Sequence, residues 1–230
     1  VAFHAPLKPA DHPVASGDRR VARALLALLD ELGHEVVVAS RYRPYDRCGD
    51  PVRQARLVAL GRRLAQRAVD RLRRHGGADL CLTYHCYHKA PDLIGPTVSR
   101  ALDLPYLIVE PSIAPRRADG PWATGYAAAL EALRGADMLL PMTTVDAETL
   151  GRVIHPPPRM RLFPPFLDAA PYRHAAGERD RLRAELASRH GIDPAQPWLL
   201  AVAMMRADVK RLSYLALADA LGFLRDRPWQ

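Results

Sequence analysis

Short apolar runs alternate with amphipathic stretches along the first part of the chain. The run VAFHA opens the sequence, and the run HEVVVAS follows a stretch whose leucines recur at helical spacing. Ser16, with Gly17 behind it, is a helix start signal ahead of that stretch, and Gly33 is a stop signal behind it. The opening therefore predicts a strand, a helix and a second strand.

The same alternation continues beyond the opening. The runs ADLCLTY, LPYLIVE and ADMLLPMT predict three more strands, and MRLFPPF is a sixth short apolar run that ends in prolines. The predicted strands are apolar on both faces, as strands of a parallel sheet covered by helices are. Strands that alternate with helices predict an α/β fold with an open, doubly wound sheet.

The texture of the chain changes near residue 166. A polar helical stretch, ERDRLRAELASRHG, leads there to PWLLAVAMMR, which predicts a new buried strand and a helix after it. We therefore predict a complete Rossmann-like domain over residues 1–165. Residues 166–230 would hold a linker and the beginning of a second Rossmann-like domain, since so few elements form only part of an α/β domain.

Composition narrows the class of protein. The chain has 230 residues, of which 49% are hydrophobic and 25% charged, as in globular domains, and this excludes disorder and fibrous repeats. No apolar run approaches the roughly 20 residues that a membrane-spanning helix needs. The opening lacks the charged start and cleavage site of a secretory signal, so we expect a cytoplasmic protein.

The cysteine content and the net charge indicate no particular type of site or partner. Three cysteines without a CxxC pair favour neither a disulfide framework nor a zinc site. The net charge is +8, but only three of the 33 basic residues are lysines, and such an arginine excess reflects coding bias as readily as a partner. We therefore expect no nucleic acid partner.

Gly17 stands in the loop PVASGDRR, which leads into the first predicted helix. A glycine there lets the backbone approach a ligand, and the start of a helix presents free N–H groups to an anion. Asp18 and Arg19 are candidate contacts beside it. The alternative is a capped helix with a turn glycine, and the chain has no GxGxxG fingerprint.

A polar segment, TYHCYHK, ends the third predicted strand, on the edge where open α/β sheets bind ligands. His85 there could hydrogen-bond a sugar hydroxyl or a developing charge, and Tyr84 and His88 are candidate contacts. Two histidines three residues apart could hold a metal, but carboxylates nearby are few, so we expect no metal. For His88 and Lys89 a polar loop that packs on its neighbours is the favoured alternative.

Two further groups follow predicted strands. Glu110 and Ser112 end the fourth strand on the same edge, where a carboxylate can orient sugar hydroxyls or simply cap a loop. Arg206 and Lys210 follow the strand predicted in the second domain and precede a helix. Both cations can point at a diphosphate beside the positive end of that helix, or they can be solvated loop residues.

An arginine-rich helix is predicted over residues 51–75. Its apolar positions share one side, and arginines fill the remainder. Such a helix can lie on an anionic membrane at the inner face of the plasma membrane. The favoured alternative is a helix packed on its own sheet with an arginine-rich solvent face.

Taken together, several segments resemble a bacterial family 4 glycosyltransferase of the GT-B type, and the resemblance covers nearly the whole chain. The segments that carry it are AFHAPLKP, PVASGDRR, GHEVVVASR, GDPVRQ, TYHCYHKAPDLIGP, LPYLIVEPSIAPRRADGPW, FPPFLD and AVAMMRADVK. The resemblance implies two Rossmann-like domains that face one another, with the acceptor held mainly by the first and the nucleotide-sugar donor mainly by the second.

The resemblance also implies an activity. A hexosyl unit would pass from a nucleotide diphosphate sugar to a glycan or lipid-linked acceptor, with retained anomeric configuration and without a metal or other cofactor, in cell-envelope or exopolysaccharide synthesis. Gly17 would lie near the donor phosphates and His85 would face the reacting sugar. Arg206 and Lys210 would bind the donor diphosphate, where two fixed cations can stabilise the leaving group.

The sequence also departs from the family pattern. The pair of glutamates that family members carry further along the second domain falls beyond the last residue, so we expect a truncated second domain. Glu110 and Ser112 replace a histidine-bearing loop, and no glycine stands near Lys210. Two other functions stay open, a non-catalytic acceptor-binding module and a basic protein that binds a membrane surface through the helix at 51–75.

Overall fold

The structure is a computed structural model that describes residues 1–156, 159–202 and 209–230. The chain divides into two compact units, Val1–Leu167 and Asp168–Gln230.

The first unit is built on one sheet of five parallel strands, in the order β2-β1-β3-β4-β5. The strands are β1 (Ala2–His4), β2 (Val37–Ser40), β3 (Cys81–Cys86), β4 (Tyr106–Pro111) and β5 (Met138–Leu140). Helices flank the sheet, and the predicted α/β class is confirmed. The strand after β1 is added on one side of it, and all later strands are added on the other side. The strand order therefore reverses between β1 and β3, and in sheets of this kind ligands bind at the carboxyl ends of these two strands.

Helices cover both faces of the sheet. The helices of the first unit are α1 (Gly17–Glu31), α2 (Pro51–Arg74), α3 (Gly95–Leu102), α4 (Ala123–Arg134) and α5 (Thr144–Val153). Successive strand residues point to opposite faces. Phe3 accordingly packs in a buried cluster with residues of α1, and Ala2 packs in a larger cluster with residues of α2 to α5.

Helix caps set where α1 and α2 begin. Ser16 caps α1, where its Oγ accepts the N–H of Arg19 at 3.2 Å, as the start signal in the sequence predicts. Asp50 caps α2 in the same way, with Pro51 as the first helical residue, a position that needs no N–H donor. Both helices therefore start at the carboxyl edge of the sheet, since each follows a strand.

The arginine-rich helix α2 packs on the sheet. Its residues Ala65, Val69 and Leu72 are fully buried, and most of its arginines are exposed. Arg71 is an exception, because its guanidinium donates to the carbonyls of Val38 and Ala39. The main apolar side of α2 is thus part of the protein core, as the packing alternative predicts. Among the described residues, no helix is both long and apolar enough to cross a membrane.

Two apolar runs do not form strands in the part of the chain that the structure describes. In MRLFPPF, Met160 makes a single bridge with Leu139, and the prolines that follow have no N–H with which to continue a ladder. The buried strand predicted in PWLLAVAMMR is wrong for residues 197–202. Leu200 and Val202 there are 87% and 84% exposed. The reason is that the described part of the second unit contains no strand with which this segment could pair.

The second unit is helical as far as it is described. It contains α6 (Ala170–Gly177), α7 (Arg179–His190) and α8 (Val209–Gly222). The polar stretch ERDRLRAELASRHG forms α7, as predicted, and the helix ends at Gly191 with a left-handed φ of 66°. The remaining residues of the predicted strand, from 203 on, lie outside the described residues.

Candidate functional site

The carboxyl ends of β1, β3 and β4 bring three titratable side chains together. Asp18 lies in the first turn of α1, while His85 and Glu110 are the last residue but one of β3 and of β4. The sequence analysis placed His85 and Glu110 on one edge of the sheet and Asp18 at the start of the first helix. The structure brings them into contact beside the carboxyl ends of β1 and β3.

His85 lies between the two carboxylates. Its Nδ1 is 3.2 Å from Oδ1 of Asp18 and 3.7 Å from Oε2 of Glu110. This nitrogen is buried and makes no well-aligned hydrogen bond, although 16% of the side chain is exposed. The exposed part of the side chain therefore belongs to its other atoms, and Nε2 is the ring nitrogen left to contact a ligand.

The charges in this cluster are coupled. The pKa of Asp18 is lowered below its ordinary value, mainly by the neighbouring His85. Burial opposes this shift, and Lys8 adds little to it. Burial, reinforced by the carboxylate of Glu110, raises the pKa of Tyr84 above its ordinary value. Asp18 is thus ionised at neutral pH and the Tyr84 hydroxyl keeps its proton.

The backbone is strained at the same place. His85 and Glu110 have φ angles of 63° and 55°, in the left-handed region that residues other than glycine seldom adopt. They stand opposite each other, between the registered pairs Tyr84–Val109 and Cys86–Pro111. Such conformations cost about 1–3 kcal/mol each and cluster at functional sites. Two strained residues that share one ion cluster mark this edge as a candidate site.

His88 faces away from the His85 cluster. Its ring lies 5.3 Å from the ring of Trp122, and Nζ of Lys89 lies 5.1 Å from the same indole. Burial lowers the pKa of His88 to about 4, and Lys89 and two arginines of a nearby turn add to the shift. His88 is therefore neutral at pH 7. Tyr87 separates the two histidines, with ring centroids 5.0 Å from His85 and 5.3 Å from His88.

Gly17 leaves open space at the start of α1. A Cβ placed there would meet no atom within 4 Å, and its φ is not in the left-handed region. Neither packing nor backbone conformation within the chain explains the glycine. Arg19 beside it donates from its guanidinium to the carbonyl of Pro13 at 3.2 Å, so it holds its own loop.

The remaining predicted residues are spread more widely. The N–H of Ser112 donates to the carbonyl of Cys86 at 3.0 Å, which ties the end of β4 to β3. Lys210 is exposed in the first turn of α8, in the second unit. Arg206 lies outside the described residues. The structure therefore groups Asp18, Tyr84, His85 and Glu110 and does not bring Arg19 or Ser112 into their cluster.

A buried aspartate that the sequence reading missed holds the loop after β3. The carboxylate of Asp92 accepts hydrogen bonds from the hydroxyls of Thr83 and Tyr106 and from the N–H groups of Ile94 and Gly95. It thereby joins β3, β4 and the start of α3. A helix start ahead of Gly95-Pro96 was the available signal, since an aspartate often precedes such a start.

Gln54 is a second residue that the reading missed. Its Nε2 donates to Oδ2 of Asp46 at 3.0 Å and to the carbonyl of Pro121 at 2.8 Å, and its Oε1 accepts the N–H of Gly125 at 2.8 Å. Burial alone would raise the pKa of Asp46, but Gln54 and three backbone N–H groups outweigh it and lower that pKa. The motif GDPVRQ therefore positions the loop ahead of Trp122.

The cysteines form no disulfide, and burial raises the pKa of the Cys81 and Cys86 thiols. In the described part of the chain, no group of three or more histidine, cysteine or carboxylate side chains is placed to hold a metal ion.

Comparison with known proteins gives no identification. No family model matches this chain. A search of curated proteins found no match either.

Proposed function

We propose that the protein is a glycosyltransferase that moves a hexosyl unit from a nucleotide diphosphate sugar to a glycan or lipid-linked acceptor. The sequence resemblance supplies the reaction and the GT-B arrangement. The observation that carries the proposal is the position of His85, between Asp18 and Glu110 at the carboxyl edge of β3. That edge is where open parallel sheets bind their ligands.

The proposed reaction breaks the bond between the anomeric carbon and the donor phosphate oxygen, and the electron pair leaves with the nucleoside diphosphate. The acceptor hydroxyl oxygen forms the new bond and passes its proton to the departing nucleoside diphosphate. Positive charge develops on the sugar ring during this exchange. The carboxylates of Asp18 and Glu110 favour that charge, and such preorganised electrostatics contribute strongly to catalysis.

His85 would act as a hydrogen-bonding group toward the sugar. Its Nδ1 faces the two carboxylates, so Nε2 is directed to the ligand side of the ring. A ring held on one side by charged neighbours is fixed in orientation before the sugar binds. Orientation of this kind lowers the entropic cost of reaching the transition state.

Gly17 would admit the donor phosphates to the start of α1. The space beside its Cα is open, and the first N–H groups of a helix attract anions. The resemblance assigns Arg206 and Lys210 of the second unit to the donor diphosphate. No metal ion is required in this proposal, because the leaving group charge would be balanced by those cations.

One observation favours a second candidate, a non-catalytic acceptor-binding module. The His85 cluster lies wholly within the first unit, and the described part of the second unit contains no strand. A protein of this kind would bind the sugar acceptor in the same crevice without transferring anything.

A comparison of two histidine variants tests the proposal. His85→Asn removes the ring but suits a left-handed backbone, and His75→Asn changes an exposed histidine at the end of α2. With a panel of UDP- and GDP-hexoses, we expect His85→Asn to lower donor turnover by about 100-fold or more, since a positioned acid, base or hydrogen-bonding group contributes about that much. His75→Asn should leave turnover unchanged.

The possible results separate the candidates. Turnover that falls only in His85→Asn supports the transferase. Saturable binding of sugars without turnover in the unaltered chain supports the binding module. Equal turnover in both variants would contradict the role given to His85.

A further inference from the structure

Three cations, Lys89, Arg116 and Arg117, lie in the region of His88 and Trp122. Lys89 places its Nζ 5.1 Å from the ring centroid. Arg116 and Arg117 belong to the 3₁₀ turn Pro115–Arg117, which packs against the turn Gly120–Trp122 that carries the indole. All three cations act electrostatically on His88, whose ring lies against Trp122. They therefore share one small region of the surface.

None of these cations forms an ion pair in the described part of the chain. The ion pairs there do not involve Lys89, Arg116 or Arg117, and Asp119, which follows the two arginines closely, pairs with none of them. Like charges held close together repel each other, so a bound anion stabilises such a cluster.

A buried polar atom lies in the same region. Nε2 of His88 is buried and has no hydrogen-bond partner. An unpartnered buried polar group costs free energy unless a ligand or water satisfies it.

The turn that carries Trp122 is held in place by packing and by hydrogen bonds. Trp122 is 6% exposed, and the side chain of Gln54 bridges Pro121 and Gly125 on either side of it. Gly49 packs so closely on Pro121 and Trp122 that an added Cβ would lie 2.8 Å from the proline side chain. The turn that carries Trp122 is therefore fixed in place before a ligand binds.

The cation cluster and His85 lie along one line of aromatic rings. Tyr87 contacts the ring of His85 on one side and that of His88 on the other. A ligand group held by the cations is thus one tyrosine ring away from the proposed reacting centre. Sugars and their substituents commonly lie against such rings, because the rings offer a flat apolar surface.

We propose that Lys89, Arg116 and Arg117 bind a phosphate group carried by the acceptor, beside the turn that carries Trp122. This inference rests on the proposed function, since it assigns the first unit to the acceptor. Phosphate fits best because it is negatively charged at pH 7 in both mono- and diesters, and arginine forms paired hydrogen bonds with its oxygens. The acceptor is therefore a phosphorylated sugar or a sugar on a lipid phosphate.

Binding without any donor tests the inference. The full chain is titrated calorimetrically with inorganic phosphate, a hexose phosphate, decyl phosphate and free hexose. We expect the three phosphates to bind, and Lys89→Met, Arg116→Gln and Arg117→Gln each to weaken that binding by about tenfold, the effect of losing one charged hydrogen bond. Tighter binding of the hexose phosphate indicates a soluble acceptor, and tighter binding of decyl phosphate a lipid-linked one.

Arg67→Gln is the matched control, because it removes one charge from the exposed face of α2. It should change phosphate affinity by less than about twofold, since a distant exposed charge is screened by salt. Unchanged binding in all three site variants would overturn the inference, as would an equal loss in Arg67→Gln. Because no donor is present, phosphate binding can succeed or fail independently of sugar transfer.

Discussion

At the scale of single residues, the site depends on side chains held in unusual circumstances. His85 and Glu110 adopt left-handed backbone angles on adjacent strands, and their side chains meet over Asp18. Gly17 is unusual in the opposite sense, because no atom of the described residues lies within 4 Å of a Cβ added there. A ligand bound at this edge of the sheet would account both for the strained backbone of His85 and for the open space beside Gly17.

Gly17→Ala should separate function from stability. The added methyl group meets no atom within 4 Å, so the free energy of unfolding should stay the same or rise by about 0.5 kcal/mol. Donor turnover should fall, because the methyl group occupies space proposed for the phosphates. Urea denaturation and the donor assay measure the two effects.

Gly125→Ala is the contrasting glycine variant. Its Cβ would lie 2.2 Å from the carbonyl oxygen of His88, so it should destabilise the fold by about 2 kcal/mol or more. If Gly17→Ala lost stability to the same extent, or kept full donor turnover, the ligand role of Gly17 would be wrong.

His88 should make the protein less stable in acid. Its folded pKa is about 4 against an ordinary value of 6.5, so between these pH values the unfolded chain binds a proton that the folded chain does not. Stability is therefore lost as pH falls from 6.5 toward 4. His88→Phe should remove this contribution and also the unpartnered Nε2.

Urea midpoints measured at about pH 7, 5 and 4 would show the effect of His88→Phe. The variant should lose less stability than the unaltered chain between the first and the last of these. An identical pH profile in both proteins would mean that His88 is charged in the folded state after all.

At the scale of elements, the sequence predicted what depends on local pattern. The strands of the first unit are apolar on both faces, and Ser16 marks the start of α1, so these elements and their order along the chain could be read directly. Even so, β3 continues through His85 to Cys86, two residues beyond the predicted end at Tyr84, because it stays registered with β4 as far as Pro111.

Contacts between distant segments could not be predicted in this way. Gln54 and Gly125 are 71 residues apart, and nothing in either local sequence indicates that they share a hydrogen bond. The network of Asp92 depends in the same manner on Thr83 and Tyr106, which lie on different strands. The sequence identified His85 and Glu110 as edge residues, but their contact with each other required the sheet register.

Gln54 should stabilise the fold far more than the exposed polar residues of α2 do. Gln54→Ala removes one donor from the Asp46 carboxylate, one donor from the carbonyl of Pro121 and the acceptor of the Gly125 N–H in a buried region, which should cost about 2–4 kcal/mol. Gln66→Ala, on the exposed side of the same helix, should cost less than about 0.5 kcal/mol. Equal urea midpoints in the two variants would show that the bridge contributes nothing.

At the scale of the whole molecule, the chain combines a parallel α/β unit with a second unit that is helical as far as the structure describes it. The first unit contains the His85 cluster and the cations near Trp122. A protein that held its acceptor there and its donor phosphates at the start of α1 would carry out the sugar transfer that the sequence resemblance implies. We therefore expect a sugar to bind beside His85.

NMR of the histidine rings tests whether a sugar binds beside His85. The full chain has nine histidines, and ¹⁵N labels on them report each imidazole during a titration with UDP- and GDP-hexoses. We predict saturable shifts of the His85 ring signals with at least one of these donors, while the exposed His75 does not respond. Saturable donor binding that leaves the His85 signals in place, or no binding by any donor of the panel, would contradict the account.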